Sequence, residues 1–390
     1  MFFCGIDVAK RKHCALVLDD HGQVVQGAWS INNDQQGFER LQQVLSAWPA
    51  SVLVGLEATG HYWLALYEFL TALGHPVVVL NPLQIAAYRR SGVRKVKQDT
   101  TDAFWIADYI RIANLPPTSR DTPLLLQLRE LTRFRSQLVE QIGDCKCKIL
   151  CILDRVFPEY ETLFSNVFIK SSRELLKQAV TADEMAQFDL SELTNLLQDA
   201  SRGRFGSAKA LTIQQAALRS VGVGFLTDAV RVEMRCLLQQ IDLVDIQVDQ
   251  IEEAVAALMA QIPQHITSIP GIGPVTGAAI LAEIGDICRF DSVEKLVAYA
   301  GIDPSVYQTG EFQASQAHMS KRGSPYLRHA LWQAATVAVQ FDPELRAYYQ
   351  ARREQGKPHG VILGAISRKL LARIFTILKE QRPYQIRSVC

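Results

Sequence analysis

The rhythm of apolar and polar positions changes along this chain. Over residues 1–115 short apolar runs alternate with amphipathic stretches. Phe2-Phe3-Cys4-Gly5-Ile6 and Ser51-Val52-Leu53-Val54-Gly55-Leu56 are β-rich and nearly free of polar residues, the pattern of strands covered on both faces. With them, residues 13–18, 24–30 and 76–80 are predicted strands, and residues 36–48, 63–73, 82–91 and 100–112 predicted helices. Three strands without an intervening helix predict a meander, followed by strand–helix alternation. Leu115-Pro116-Pro117 ends this pattern and sets a boundary.

Beyond it the period lengthens to that of long helices. Leu124, Leu128, Leu131, Leu138, Ile142, Cys145, Ile149 and Ile152 follow a heptad that Arg135 interrupts. Val230, Met234, Leu237, Ile241, Val244, Val248, Ile251, Val255 and Leu258 alternate spacings of four and three without a break, a coiled-coil seam. That seam is expected to join the two helices within the chain and to contact a second subunit as well. Residues 157–210 are mixed, with an exposed basic loop expected at 201–207. The predicted organisation is α/β plus α: a sheet domain over 1–115, coiled-coil helices with an insertion over 116–260, and a mainly helical domain over 261–390.

Charge changes this picture at one end. The 390 residues carry a formal net charge of only +1, but the stretch from His318 to Cys390 holds thirteen Lys and Arg against four Asp and Glu. A basic terminal region of this kind is a nucleic-acid surface in waiting. The eight cysteines show no paired Cys-x-x-Cys spacing, so a zinc site is open but poorly supported. Cys145, Cys147 and Cys151 read as buried or half-buried helix residues. No signal peptide precedes the first strand and no uncharged apolar run approaches membrane-spanning length, so a reducing bacterial cytoplasm is expected.

Four carboxylates carry the candidate chemistry. Asp7 and Glu57 each end an apolar strand, where ligands bind in open α/β sheets. Asp99 and Asp102 are three apart and share a helix face. Such a set suits Mg²⁺ or Mn²⁺, and two ions roughly 3.5–4 Å apart clamp the attacking and leaving oxygens of a phosphoryl transfer. Any one of these acids alone is better read as a cap or a solvated group; Asp99, for one, can cap its helix. Together, in this strand and helix setting, they point to metal. Arg89, Arg90, Arg94, Lys95 and Lys97 crowd the approach to Asp99 as a strip fit for a phosphate backbone, although a solvated basic face looks the same.

A second motif set lies further on. Ile269-Pro270-Gly271-Ile272-Gly273-Pro274 reads as a helix–hairpin–helix turn whose Gly271 and Gly273 let backbone amides approach phosphate; a tight turn without ligand is the plainer reading. Hydroxyls at Ser305, Thr309, Ser315, Ser320 and Ser324 lie among glycines and the cations Lys321, Arg322 and Arg328. Spacing does not choose a nucleophile among them, and most loop serines are turn or cap residues.

Taken together and in this order, the two motif sets resemble the DEDD transposases of the insertion-sequence one-ten group, related to the Piv DNA invertases, some of them guided by a bridge RNA. The resemblance covers the amino-terminal domain and residues 262–371, and is weak over 157–225. It implies a RuvC-like, ribonuclease-H-like domain in which Asp7, Glu57, Asp99 and Asp102 bind metal. It also implies a transposase domain with a serine nucleophile in a Ser-Gly pair; here Gln308-Thr309-Gly310 stands in that place, with Ser320 and Ser315 as alternatives. Donor and target DNA, a guide RNA and a homo-oligomer, dimer or tetramer, are the implied partners. The competing readings are a Holliday-junction or structure-specific endonuclease using the same tetrad and water, an actin-like kinase, and a nucleic-acid scaffold with a decayed site.

Overall fold

The computed structural model describes residues 1–48, 51–90, 99–118, 122–304, 308–309, 312–313 and 319–386; of Leu83, Asp99, Thr122, Gln308, Thr309, Phe312 and Gln313 only the backbone is described. The chain divides into two compact units, Met1–Thr122 and Pro123–Cys390.

The first unit is a five-stranded sheet of order β3-β2-β1-β4-β5. Strands β1 (Phe2–Asp7), β2 (Lys12–Leu18) and β3 (Val24–Asn32) form the antiparallel meander; β4 (Val52–Glu57) and β5 (Val77–Leu80) add in parallel beside β1. The helices are α1 (Gln35–Ser46), α2 (Leu64–Ala72), α3 (Pro82–Arg90) and α4 (Asp99–Ala113). The predicted strands and helices are thus all present, with small differences at their ends. Pairing fixes the faces. Phe3, Gly5 and Asp7 of β1 lie beside Leu18, Leu16 and Cys14 of β2, and Phe3 and Gly5 beside Leu53 and Gly55 of β4. Residues paired this way share a face of the sheet. That face is covered by α4, whose Ala103 and Ala107 pack with Leu16 and Leu18, and whose Ile106 and Ile110 pack with Phe3 and Leu53.

Gly5 and Gly55 let α4 come this close. A Cβ on Gly5 would stand 2.1 Å from the Ala103 carbonyl oxygen, and one on Gly55 would meet Ile106 and Ile110 at 3.0–3.1 Å. Residues late in α4 lie over the starts of the strands and early ones over their ends, so the helix runs opposite to β1 and β4. Its amino-terminal turn, with Asp99 and Asp102, comes to the carboxyl ends of the strands.

The second unit is helical: α5 (Thr122–Val156), α6 (Tyr160–Leu163), α7 (Lys170–Gln178), α8 (Ala182–Gln187), α9 (Leu190–Ser201), α10 (Ser207–Leu218), α11 (Thr227–Met259), α12 (Pro274–Ile284), α13 (Val293–Ala300), α14 (Pro325–Phe341), α15 (Pro343–Glu354) and α16 (His359–Glu380), with a two-stranded ribbon β6 (Gln308–Thr309) and β7 (Phe312–Gln313). Two apolar cores form. One gathers α6–α10 around the carboxyl half of α5 and the amino half of α11; the other gathers α12–α16 around the opposite halves.

Helices α5 and α11 run antiparallel, tied by Arg135–Glu252 at 2.6 Å, Cys145–Gln240 at 3.4 Å and Arg155–Glu233 at 3.6 Å. The residue that breaks the α5 heptad, Arg135, is therefore an inter-helix ion pair. On α11 the buried positions are Val230, Met234, Leu238 and Ile241, then Ile251, Val255 and Met259. Leu238 and Met259 replace the predicted Leu237 and Leu258, which are half-buried. A stripe stepping mostly by four follows the 3.6-residue helix rather than a strict heptad, because each half of α11 serves a different globular core. Cys145 is buried, but Cys147 and Cys151 are exposed, contrary to the sequence reading. Among the described residues no helix is long and apolar enough to cross a membrane.

Candidate functional site

Register places the first two carboxylates. Asp7 and Glu57 close β1 and β4, each one residue past the pair Ile6–Leu56, so both point to the α4 face at the carboxyl edge of the sheet. Asp102 reaches the same edge from α4 and is only 7% exposed. Asp99 opens α4 one turn earlier, and its side chain lies outside the described residues.

Arg89 joins two of these acids. Its guanidinium lies 2.9 Å from Glu57 Oε2 and 3.3 Å from Asp102 Oδ1. Its Nε is buried without a hydrogen-bond partner among the described residues. The neighbouring Tyr88 sets this position: it packs against Trp105 and Tyr109 of α4 and donates to Asp108 Oδ2 at 2.6 Å, docking α3 on α4. Burial, then the Asp108 carboxylate, pushes the Tyr88 phenol up to about 12, so it stays a donor. Asp108 is in turn held by Arg111 at 2.6 Å. Thr59 donates to Glu57 Oε1 at 3.1 Å, fixing the other side of that carboxylate.

Arg89 therefore belongs to the carboxylate cluster rather than to an outward basic strip. Arg90 is exposed; Arg94, Lys95 and Lys97 lie outside the described residues. Sequence spacing gave no sign that one arginine of the strip turns inward. The signal available was Tyr88, an aromatic directly before it, facing the Trp105 and Tyr109 stripe of α4.

The carboxylates offer the hard oxygen donors that a divalent cation prefers, and two of them already converge on a positive group. Among the described residues no group of three or more potential ligands is close enough to hold a metal ion, with Asp99's side chain outside that set. The donor chemistry fits a hard divalent cation.

The second motif set is built differently. Gly273 caps α12 with open space where a Cβ would stand, consistent with an exposed turn. Gly271 faces inward: its φ is +94°, and a Cβ would come within 2.6–2.8 Å of the Ala334 and Ala338 backbone of α14. Helix packing alone accounts for that glycine. Lys321 and Arg322 are exposed. Arg328 is not a free cation, since it donates to Gly323 O at 2.7 Å and Ala300 O at 3.3 Å and staples the loop before α14. Ser324 is the cap of α14 and donates to Glu283 Oε2 at 2.7 Å; Ser320 donates to Asp303 at 2.5 Å. Both hydroxyls have structural partners. Thr309 ends the β6 strand, its side chain outside the described residues, as are Ser305 and Ser315.

Glu283 was not anticipated. It is 1% exposed, accepts two bonds from Arg133 at 2.6 and 3.0 Å, and anchors Ser324. Burial pushes its carboxyl up, but the Arg133 and Ser324 hydrogen bonds outweigh that and hold it below the usual value. A lone acid in the apolar run Ala278-Ala279-Ile280-Leu281-Ala282 was the available signal.

The family model DEDD_Tnp_IS110, described as a transposase, matches residues 4–158, and the model of the transposase IS116/IS110/IS902 family matches residues 263–350. Together they account for more than half of the chain. The chain is 28% identical to an insertion element IS110 uncharacterized 43.6 kDa protein of Streptomyces coelicolor, over 99% of this chain and 96% of that one. It is 26% identical to the pilin gene-inverting protein of Moraxella bovis, over 99% and 98%. It is 24% identical to the transposase for insertion sequence element IS1111A of Coxiella burnetii, over 86% and 77%. Neither family model covers residues 159–262, although the first two relatives align across nearly the whole chain. The chain belongs to the IS110 family of DEDD transposases and is a DNA transposase or recombinase.

Proposed function

We propose that this chain cuts and rejoins DNA through a metal-dependent, covalent route, with Asp7, Glu57, Asp99 and Asp102 as the metal ligands and the Thr309 hydroxyl as nucleophile. One observation carries the reading: strand register and the close seating of α4 put Asp7, Glu57 and Asp102 on one face at one edge of the sheet. Bound Mg²⁺ or Mn²⁺ would polarise the scissile phosphate and offset the charge that develops on it.

In this account the Thr309 oxygen forms a bond to phosphorus as the bond to the DNA leaving oxygen breaks, and that oxygen takes up a proton. Attack by a DNA hydroxyl then reverses the step on a new strand and restores threonine. The phosphoester is conserved throughout, so no nucleotide is consumed. Threonine supplies the same hydroxyl as the family's serine, with a methyl group that restricts its rotation. Arg90, Lys321 and Arg322, with Arg94, Lys95 and Lys97, are assigned to the DNA backbone. A guide RNA and a homo-oligomer, implied by the family resemblance, complete the proposal, as does a division of the chain at about 115 and 260.

The test is recombination in bacterial cells carrying the gene with its native flanking DNA, read by sequencing excised-circle junctions. Junctions from wild type and their loss in Asp102→Asn, Asp99→Ala and Thr309→Ala are expected. Junctions retained in the aspartate variants would overturn the metal site. Junctions retained in Thr309→Ala alone would move the nucleophile to another hydroxyl or to water, as in the endonuclease reading.

A further inference from the structure

The basic character of the carboxyl-terminal region is not spread evenly over its surface. Three of its four acids sit at one end of the α15–α16 pair. Asp342 accepts from Arg373 at 2.8 Å and from Tyr384 at 2.8 Å, Glu344 pairs with the same Arg373 at 2.7 Å, and Glu380 pairs with Arg382. At the other end α15 and α16 meet in a hairpin where residues 350–361 are exposed without interruption. That tip carries Arg352, Arg353, Lys357 and His359 against a single acid, Glu354. Among the described residues no carboxylate lies within ion-pair distance of Arg352, Arg353 or Lys357; Arg352 donates to Gln355 Oε1 at 2.9 Å and Arg353 to the Lys357 carbonyl at 3.3 Å.

The tip is also held in shape. Gly356, at φ +74°, turns the chain, and the amides of Gly356 and Lys357 bond back to the Arg353 and Arg352 carbonyls at 2.9 and 3.1 Å. The Tyr348 ring centroid is 5.3 Å from the Arg352 guanidinium and 4.7 Å from the Lys369 ammonium of α16, and the Tyr349 hydroxyl meets His359 Nδ1 at 2.8 Å. A solvated basic face has no need of such bracing. Cations fixed on a convex, turned tip, with three of the region's four acids paired at the far end, match an array of backbone phosphates.

We infer that the α15–α16 tip, through Arg352, Arg353 and Lys357, is a docking surface for the sugar–phosphate backbone of duplex DNA. It lies just beyond the segment that the second family model matches, which ends at residue 350. The inference rests on the DNA-directed activity of the family and not on the metal or nucleophile assignments, because binding is read without cleavage.

The test titrates the full-length chain against a fluorescent mixed-sequence DNA duplex at several salt concentrations. In the variant with Arg352→Glu, Arg353→Glu and Lys357→Glu, affinity is expected to fall at least about tenfold. The slope of log affinity against log salt should shrink by about 3, one for each lost phosphate contact. Glu354→Gln, which leaves every cation in place, should tighten binding. Unchanged affinity and slope in both variants would overturn the inference. So would loss of binding to a structured RNA with duplex binding intact, since the tip would then serve RNA.

Discussion

At the residue scale the site turns on Arg89. Two carboxylates brought together at the edge of a sheet repel each other, and a guanidinium between them relieves that repulsion. Removing it in Arg89→Gln should lower the melting temperature in the absence of divalent metal and enlarge the rise that Mg²⁺ produces. An unchanged Mg²⁺ response would detach Arg89 from the site. Asp7 and Glu57 were legible in the sequence because each follows an unbroken apolar run that must be a strand. Arg89 was not, because its inward turn depends on Tyr88 docking against α4, a tertiary event. Glu283 makes a second prediction. Its carboxyl titrates below the ordinary 4.5 in the folded chain. It therefore contributes stability that is present above the unfolded value and is lost as pH falls through the folded one. Wild type should lose stability on acidification below that range, and its advantage over Glu283→Gln should shrink there in urea titrations. A constant difference from neutral to acid pH would contradict the assignment.

At the element scale, α4 is the part that assembles the site. Its helical period was readable, but its depth on the sheet was set by Gly5 and Gly55, whose role the sequence does not announce. In Gly5→Ala the new methyl group would meet the Ala103 carbonyl oxygen at 2.1 Å. Backbone on both sides leaves no flexible atom to yield, so a loss of about 3 kcal/mol in denaturant unfolding is expected, the upper part of the usual range for overpacking. Stability within about 0.5 kcal/mol of wild type would show that α4 is not seated on β1 in this way. Strands β1, β4 and β5 were legible because their short apolar runs suit a covered sheet. The α11 stripe was read one position off at Leu238 and Met259 because a heptad assumes one continuous partner, and this helix has two.

At the scale of the whole chain, α5 and α11 link the two cores of the second unit. Val244 and Val248, at the centre of α11, pack against both. The seam read from the sequence thus serves the chain's own fold, whatever further contact it makes. Val244→Asp should destabilise this unit by about 2 kcal/mol through an unpaired charge at a half-buried position. A variant that keeps wild-type stability and changes only its sedimentation would instead place the seam between subunits. The charge asymmetry of residues 318–390 was visible in the sequence; the pairing of three of its four acids at one end of α15–α16 was not, because those ion pairs form only in the fold.

We propose above that a threonine hydroxyl and a carboxylate-held metal both serve strand cleavage. The most direct measurement is to purify the protein from cells that also carry its native flanking DNA, denature it, digest it and map any DNA-linked peptide by mass spectrometry. A nucleotide adduct is expected on the peptide containing Thr309, present in wild type and absent from Thr309→Ala and Asp102→Asn. DNA cleaved by Thr309→Ala with free ends and no adduct on any residue would contradict it.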